Sequence, residues 1–227
     1  MFGSARTPAA QQRAKRKQAD ATPAKKLKQT FLDFGQKNFD SKVCSICGMI
    51  YTAGLEDPDH LKFCKQLKAD VKWALCKETA IEMDFGSRGS VVLASKSDAK
   101  TRKLREHVDE VLGFCEPENF SRETTSFVFI LNSIAVGYLE TDPVSQACTV
   151  SDPSQTHEVS FGILKIWVHP KERRKHIASM MIDAARAHHG YPSAVPKTAI
   201  AFSPPTSLGR QFAQEYCGTD SFLVYKI

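Results

Sequence analysis

Residues 162–189 read GILKIWVHPKERRKHIASMMIDAARAHH. The stretch opens on an apolar run, Ile163, Leu164, Ile166, Trp167 and Val168, whose length and β-branched and aromatic content read as a strand. His169-Pro170 ends it, because proline has no N–H for a sheet ladder. A basic turn follows, Lys171 to His176. From Ile177 onward, Met180, Met181, Ala184 and Ala185 recur on one helical face, and Gly190 and Pro192 supply the stop.

A strand, a basic turn and a helix together make an anion site. The first N–H groups of a helix lack intrahelical acceptors, and the macrodipole makes that end positive. A pyrophosphate fits there, with Arg173, Arg174 and Lys175 adding charge. The pattern fits equally a buried strand followed by an amphipathic helix whose solvated start happens to be basic. RRKHIA resembles the pyrophosphate loop of the GCN5-related N-acetyltransferases, Arg/Gln-x-x-Gly-x-Gly/Ala, with His176 standing where glycine is usual. The longer match, IWV-HP-x-x-RRK-x-IAS-x-M, is similar to the ESCO-type (cohesion-establishment) acetyltransferases, which acetylate lysines on the head of a cohesin subunit.

That resemblance implies acetyl-CoA as cofactor. It implies that Ile166, Trp167 and Val168 offer backbone groups to the cofactor arm and thioester. Arg174, Lys175, His176, Ile177, Ala178 and Ser179 would hold the pyrophosphate, and Thr206, Ser207 and Leu208 would line the cofactor. Acetyl transfer also needs a base to deprotonate the lysine. The family places an acid on the central helix, which Asp183 matches as the expected catalytic residue; Asp183 fits equally a solvated residue paired with Arg186 or Arg174. A second family acid, in the AFS-Asp-PT segment, is replaced here by Pro204, and His157 and Glu158 are the substitutes considered. Without a working base the chain would be a zinc-finger adaptor on an acetyltransferase scaffold.

Cys44-x2-Cys47-x12-His60-x3-Cys64 carries a second chemistry. A Cys-x-x-Cys turn puts two thiolates on one knuckle, and His60 and Cys64, four apart, share a helix side. All four positions of a zinc tetrahedron are thereby filled by protein, which makes the site structural. Tyr51, Leu55, Leu61 and Leu67 are available for a small core, with Pro58-Asp59 starting the helix. CSICGMIYTAG is close to the finger of the ESCO family. One finger without a basic helix is a poor DNA reader.

Before the finger, residues 1–30 carry eight basic residues against one acid, although the whole chain of 227 residues is only +6. Residues 1–28 have almost no large apolar side chains and are expected to be a disordered basic tail, either a nuclear import signal or a loose nucleic-acid contact. Gln29-x-x-Leu32 resembles the start of a sliding-clamp (PCNA) interaction peptide, while Phe31, Leu32 and Phe34 equally suit packing on the finger. Seven cysteines and no apolar signal core argue against a disulfide framework. No apolar run reaches the roughly 18–20 residues of a membrane span. An intracellular, soluble, nuclear protein is expected.

After the finger the expected elements are a short helix over 69–82 with Trp73 as an anchor, a strand at 89–94, a helix capped by Asp98 running to Leu112, and a hairpin across Asn132-Ser133. The polar residues 141–158 read as a long mobile loop. Beyond the central helix come a strand at 198–202, a helix at 209–216 and a last strand at 222–225. The fold expected is α+β, a GCN5-related mixed sheet flanked by helices over 68–227, preceded by the clamp-like segment and C2HC finger at 29–67. AFS-x-PT and FA-x-x-YCGT-x-x-FLVY also resemble the ESCO C-terminus.

Overall fold

The computed structural model describes residues 41–226 apart from 45, 48, 55, 68, 75–80 and 114–122. The basic tail, the segment Gln29–Leu32, Phe34 and Leu55 lie outside the described residues. Strands β1 (Ser41–Val43) and β2 (Ile50–Thr52) pair antiparallel around the Cys44–Cys47 knuckle, and α1 (Asp57–Leu67) follows. Two acids in the first turn of α1 and a lysine in its last suit the helix dipole. Leu67 is buried and the Tyr51 ring stacks on His60 at 3.9 Å, but Leu61 is 65 % exposed, so it does not join the finger core as expected.

The expected helix over 69–82 is not formed among the described residues. Instead β3 (Val71–Lys72) joins the sheet, the Trp73 N–H donates to the Ser133 carbonyl, and β4 (Ile81–Asp84) begins a meander. Trp73 is nonetheless buried, so packing and backbone pairing outweigh the weak local helical pattern. The meander continues through β5 (Ser90–Ala94), helix α2 (Ala99–Leu112), β6 (Thr125–Leu131) and β7 (Ile134–Asp142). Asp98 sits at the N-cap of α2 without a side-chain capping bond, and Gly113 closes the helix in the left-handed region. Asn132 and Ser133 both take positive φ, 50° and 60°, the conformation of a two-residue hairpin turn.

Residues 141–158 are also not a mobile loop. β7 runs through Asp142, and β8 (Gln146–Thr149) and β9 (Thr156–Glu158) form a polar antiparallel pair. Their backbones pair while their side chains alternate little, so no hydrophobic period marks them. The central strand β10 (Phe161–Val168), α3 (Ile177–His189), β11 (Ile200–Phe202), α4 (Ser207–Cys217) and β12 (Leu223–Val224) complete the order. The sheet runs β4-β5-β6-β7-β10-β11-β12-β8-β9, with β3 on β7.

Side chains alternate between two cores. Phe127, Phe129, Leu139, Phe161 and Ile163 face Met181 and Ile182 of α3 and Ala213 and Tyr216 of α4. Val92, Val128, Tyr138 and Trp167 face Leu104 and Val108 of α2. Among the described residues no helix is long and apolar enough to cross a membrane.

Candidate active site and zinc-ligand cluster

β10 and β11 pair in parallel only from Phe161 to Ile163. Ser203 fixes the point of parting: its N–H donates to the Ile163 carbonyl and its hydroxyl to that of Leu164, each at 2.8 Å. A β-bulge interrupts the β10–β7 register at this same place, between Ile163 and Lys165. Past it Pro204-Pro205 leads the chain away, while β10 continues beside β7 alone. The His169 N–H donates to the Val136 carbonyl of β7. By strand alternation Lys165 and Trp167 also turn their backbone groups to β7, and Ile166 and Val168 turn theirs to the open edge. An extended chain bearing amides can add there as a strand would. The Trp167 indole belongs to the other face, edge-on to His107 at 5.6 Å between ring centres.

α3 follows β10 and α4 follows β11, so both helix N-termini lie beyond the carboxyl ends of strands that part, the usual crevice of parallel sheets. The Met180 N–H donates to the His176 carbonyl, leaving the N–H groups of Ile177, Ala178 and Ser179 without an earlier intrahelical acceptor. Arg174 and His176 take positive φ, 63° and 61°, around Lys175. Alternation of this kind turns successive N–H groups toward one concavity. The left-handed backbone at His176 is the physical reason glycine is usual there, and histidine is among the residues that tolerate it. Lys175 pairs with Glu172 at 2.8 Å. Thr206 caps α4 by accepting from the Gly209 N–H, and Ser207 and Leu208 are exposed beside it.

Asp183 lies in the second turn of α3 and is not a freely solvated carboxylate. Its Oδ1 accepts from the Tyr216 hydroxyl of α4 at 2.5 Å and from Arg186 Nη1 at 2.9 Å. Arg186 is itself anchored by Nε to the Val195 carbonyl. Burial raises the Tyr216 phenol well above its ordinary value, and the neighbouring Asp183 carboxylate raises it further. Tyr216 was missed by the sequence reading; its one signal was a polar tip among the buried positions of α4. His157 and Glu158 are exposed on β9, the last strand in the order of the sheet, which ends three residues before β10 begins.

The donor atoms of Cys44, Cys47, His60 and Cys64 all lie within 4.8 Å of one another. Cys44 Sγ and Cys64 Sγ are 3.5 Å apart, and Cys64 Sγ and His60 Nε2 are 3.3 Å apart. These lie a little inside the ligand-to-ligand edges of about 3.5–3.8 Å that zinc bond lengths require. The Cys47 and Ile46 N–H groups lower the Cys44 thiol to about 6, whereas burial and the neighbouring thiols push Cys64 up to about 12. Thiolates crowded in this way need a cation to ionise together, and the donor set fits zinc.

Two family models match the chain. One described as ESCO1/2 acetyl-transferase covers residues 157–225, and one described as zinc-finger of acetyl-transferase ESCO covers residues 29–66. The human N-acetyltransferase ESCO1 is 34 % identical over 93 % of this chain, and the mouse N-acetyltransferase ESCO2 is 34 % identical over 87 %. The chain spans only 28 % and 37 % of the lengths of those two relatives. A solved structure of the xEco2 acetyltransferase domain bound to a K105-CoA conjugate superposes with a TM-score of 0.61 at 32 % identity, covering 66 % of this chain and 99 % of that one.

Proposed function

This chain belongs to the ESCO family of acetyltransferases, and from that premise we propose that it transfers the acetyl group of acetyl-CoA to a lysine of a protein substrate. The observation that carries this reading is the parting of β10 and β11 with two helix N-termini at its mouth. The family supports a lysine on the cohesin head subunit as acceptor, in the nucleus and on chromatin, during the establishment of sister-chromatid cohesion around DNA replication. A sliding clamp (PCNA), reached through Gln29–Leu32, is a further proposed partner. Cys44, Cys47, His60 and Cys64 are the proposed structural zinc ligands.

Acetyl-CoA supplies an activated thioester. The open edge at Ile166 and the Val168 N–H would hold the amide-bearing arm, the Val168 carbonyl being taken by Arg173, and the first turn of α3 with Arg174 would hold the pyrophosphate. Thr206, Ser207 and Leu208 flank the other side. The incoming lysine must lose a proton, and Asp183 is the acceptor, directly or across one water. Tyr216 stays protonated and, with Arg186, fixes the carboxylate in one orientation. Arg174→Ala removes a charge-assisted phosphate contact and is expected to weaken acetyl-CoA binding about 10-fold. Equal dissociation constants by calorimetry would take Arg174 out of the site.

The direct test incubates the protein with acetyl-CoA and a cohesin head domain and maps acetyl-lysine by peptide mass spectrometry. Asp183→Asn is expected to slow acetylation about 100-fold with cofactor binding retained. Unchanged acetylation would keep the enzyme and discard Asp183 as base. Pro204 in place of the second family acid favours one other reading, a cofactor-binding adaptor. That reading is established by intact acetyl-CoA binding with no acetylated head.

A further inference from the structure

The pyrophosphate loop is tied to the zinc finger on two sides. On one side Arg173 bridges the two: its Nε donates to the Val168 carbonyl at 3.2 Å and its Nη1 to the Ile46 carbonyl at 3.3 Å. Ile46 is part of the knuckle between Cys44 and Cys47. On the other side Asp70, three residues past the end of α1, faces His169 Nε2 at 3.5 Å and Lys171 Nζ at 3.9 Å. The chain leaving the finger is also spliced into the sheet. β3 pairs with Ala135 and Ile134 of β7, next along β7 from Gly137, where β10 ends at Val168. The finger and the sheet belong to one compact unit.

We infer that Arg173 is a positioning residue that links the zinc knuckle to the cofactor loop, so that zinc and acetyl-CoA bind cooperatively. This rests on the acetyl-CoA reading of the loop. The Ile46 carbonyl stays where Arg173 finds it only while the knuckle is closed on its metal. With the knuckle open, the guanidinium loses one of its two backbone acceptors. The backbone from Val168 to His176, which holds two left-handed residues, then loses a restraint on the conformation that the pyrophosphate needs. The planar guanidinium serves the two carbonyls from separate, fixed nitrogens, Nε and Nη1, whereas an ammonium must reach both from one. By linkage, whatever factor zinc contributes to acetyl-CoA affinity, acetyl-CoA contributes to zinc affinity.

The experiment is a cycle on the zinc-loaded full chain, with calorimetry for acetyl-CoA and a colorimetric chelator for zinc release. Wild type is expected to lose about 5- to 20-fold in acetyl-CoA affinity when zinc is stripped. Arg173→Ala should lose the same factor with zinc present and nothing more without it. Acetyl-CoA should slow zinc release from wild type and not from Arg173→Ala, a readout that needs no stripped protein. Arg173→Lys should recover only part of the loss. If Arg173→Ala weakens acetyl-CoA equally with and without zinc, Arg173 is a phosphate ligand and the coupling is overturned. Full recovery by lysine, or zinc release indifferent to acetyl-CoA in wild type, overturns it as well. A wild-type protein that binds no acetyl-CoA at all would instead sink the acetyltransferase reading on which the coupling stands.

Discussion

Cys64→Ser is expected to strip the finger of zinc: about one zinc per chain in wild type and far less in the variant, by metal analysis of the purified proteins. The serine hydroxyl is a poor substitute for a buried thiolate, and structural zinc in small fingers is worth about 10–16 kcal/mol of apparent binding energy that doubles as folding energy. Among the described residues the module has little apolar core of its own. Leu67 is buried and Tyr51 stacks on His60, but Val43, Ile50 and Leu61 are each about two-thirds exposed. Without the metal, the pairing of β1 with β2 has almost no apolar support among the described residues, and a lone hairpin is marginal in water. Retention of stoichiometric zinc by Cys64→Ser would show that these four residues are not the ligand set.

Glu140→Ala is expected to destabilise the sheet by about 3–5 kcal/mol, read as a lower urea midpoint. Glu140 is fully buried on β7 under α2. Its Oε2 lies 3.5 Å from Lys165 Nζ, 3.2 Å from Arg105 Nε and 3.3 Å from the Tyr138 hydroxyl, and its Oε1 accepts from Thr124. Lys165, buried at the bulge of β10, reaches Asp109 of α2 at 2.6 Å. Removing one carboxylate takes a close counter-charge from buried Lys165 and from Arg105 in a low-dielectric interior. Replacing Glu140 and Lys165 together by methionine should recover most of the loss, because neither desolvated charge remains. A single-variant cost under about 1 kcal/mol would show that water reaches this network.

The same carboxylate sets a pH dependence. Burial by itself would raise Glu140, but the Thr124 hydroxyl, Lys165 and Arg105 outweigh it and hold the group below its ordinary 4.5. A depressed carboxyl contributes stability that is full above its unfolded value and is lost as pH falls through its folded one. The urea midpoint should therefore be insensitive to this group at neutral pH and decline below about pH 4.5. Glu140→Gln should flatten that decline.

Several parts of this protein were legible because their signals are local. Helix α3 begins at Ile177 and ends at His189, as its apolar face and Gly190 indicate. The β6–β7 hairpin turns on Asn132 and Ser133 because only two residues separate two apolar runs. The finger was readable because the spacing of Cys44, Cys47, His60 and Cys64 is itself the geometry of a knuckle and a helix turn. The proposed pyrophosphate loop shows in the sequence as basic residues before a helix.

The remainder depends on partners remote in the chain. β8 and β9 are polar, and they become strands because β8 finds the edge of β12, some seventy-five residues on. Val71 leaves its local helical pattern because β7 offers an edge next to the end of β10. The hydroxyl of Tyr216 meets Asp183 only when α4 packs beside α3, and Arg173 meets Ile46 across 127 residues. The quartet of Glu140, Lys165, Arg105 and Asp109, its first two members buried, joins β7, β10 and α2 in the same way. The chain by itself determined which segments form helices, hairpin and finger, since periodicity and turn chemistry act between near neighbours. Only the tertiary structure decided how the candidate base is held, which charges are buried, and what the finger touches, because those contacts arise from packing of segments far apart in sequence.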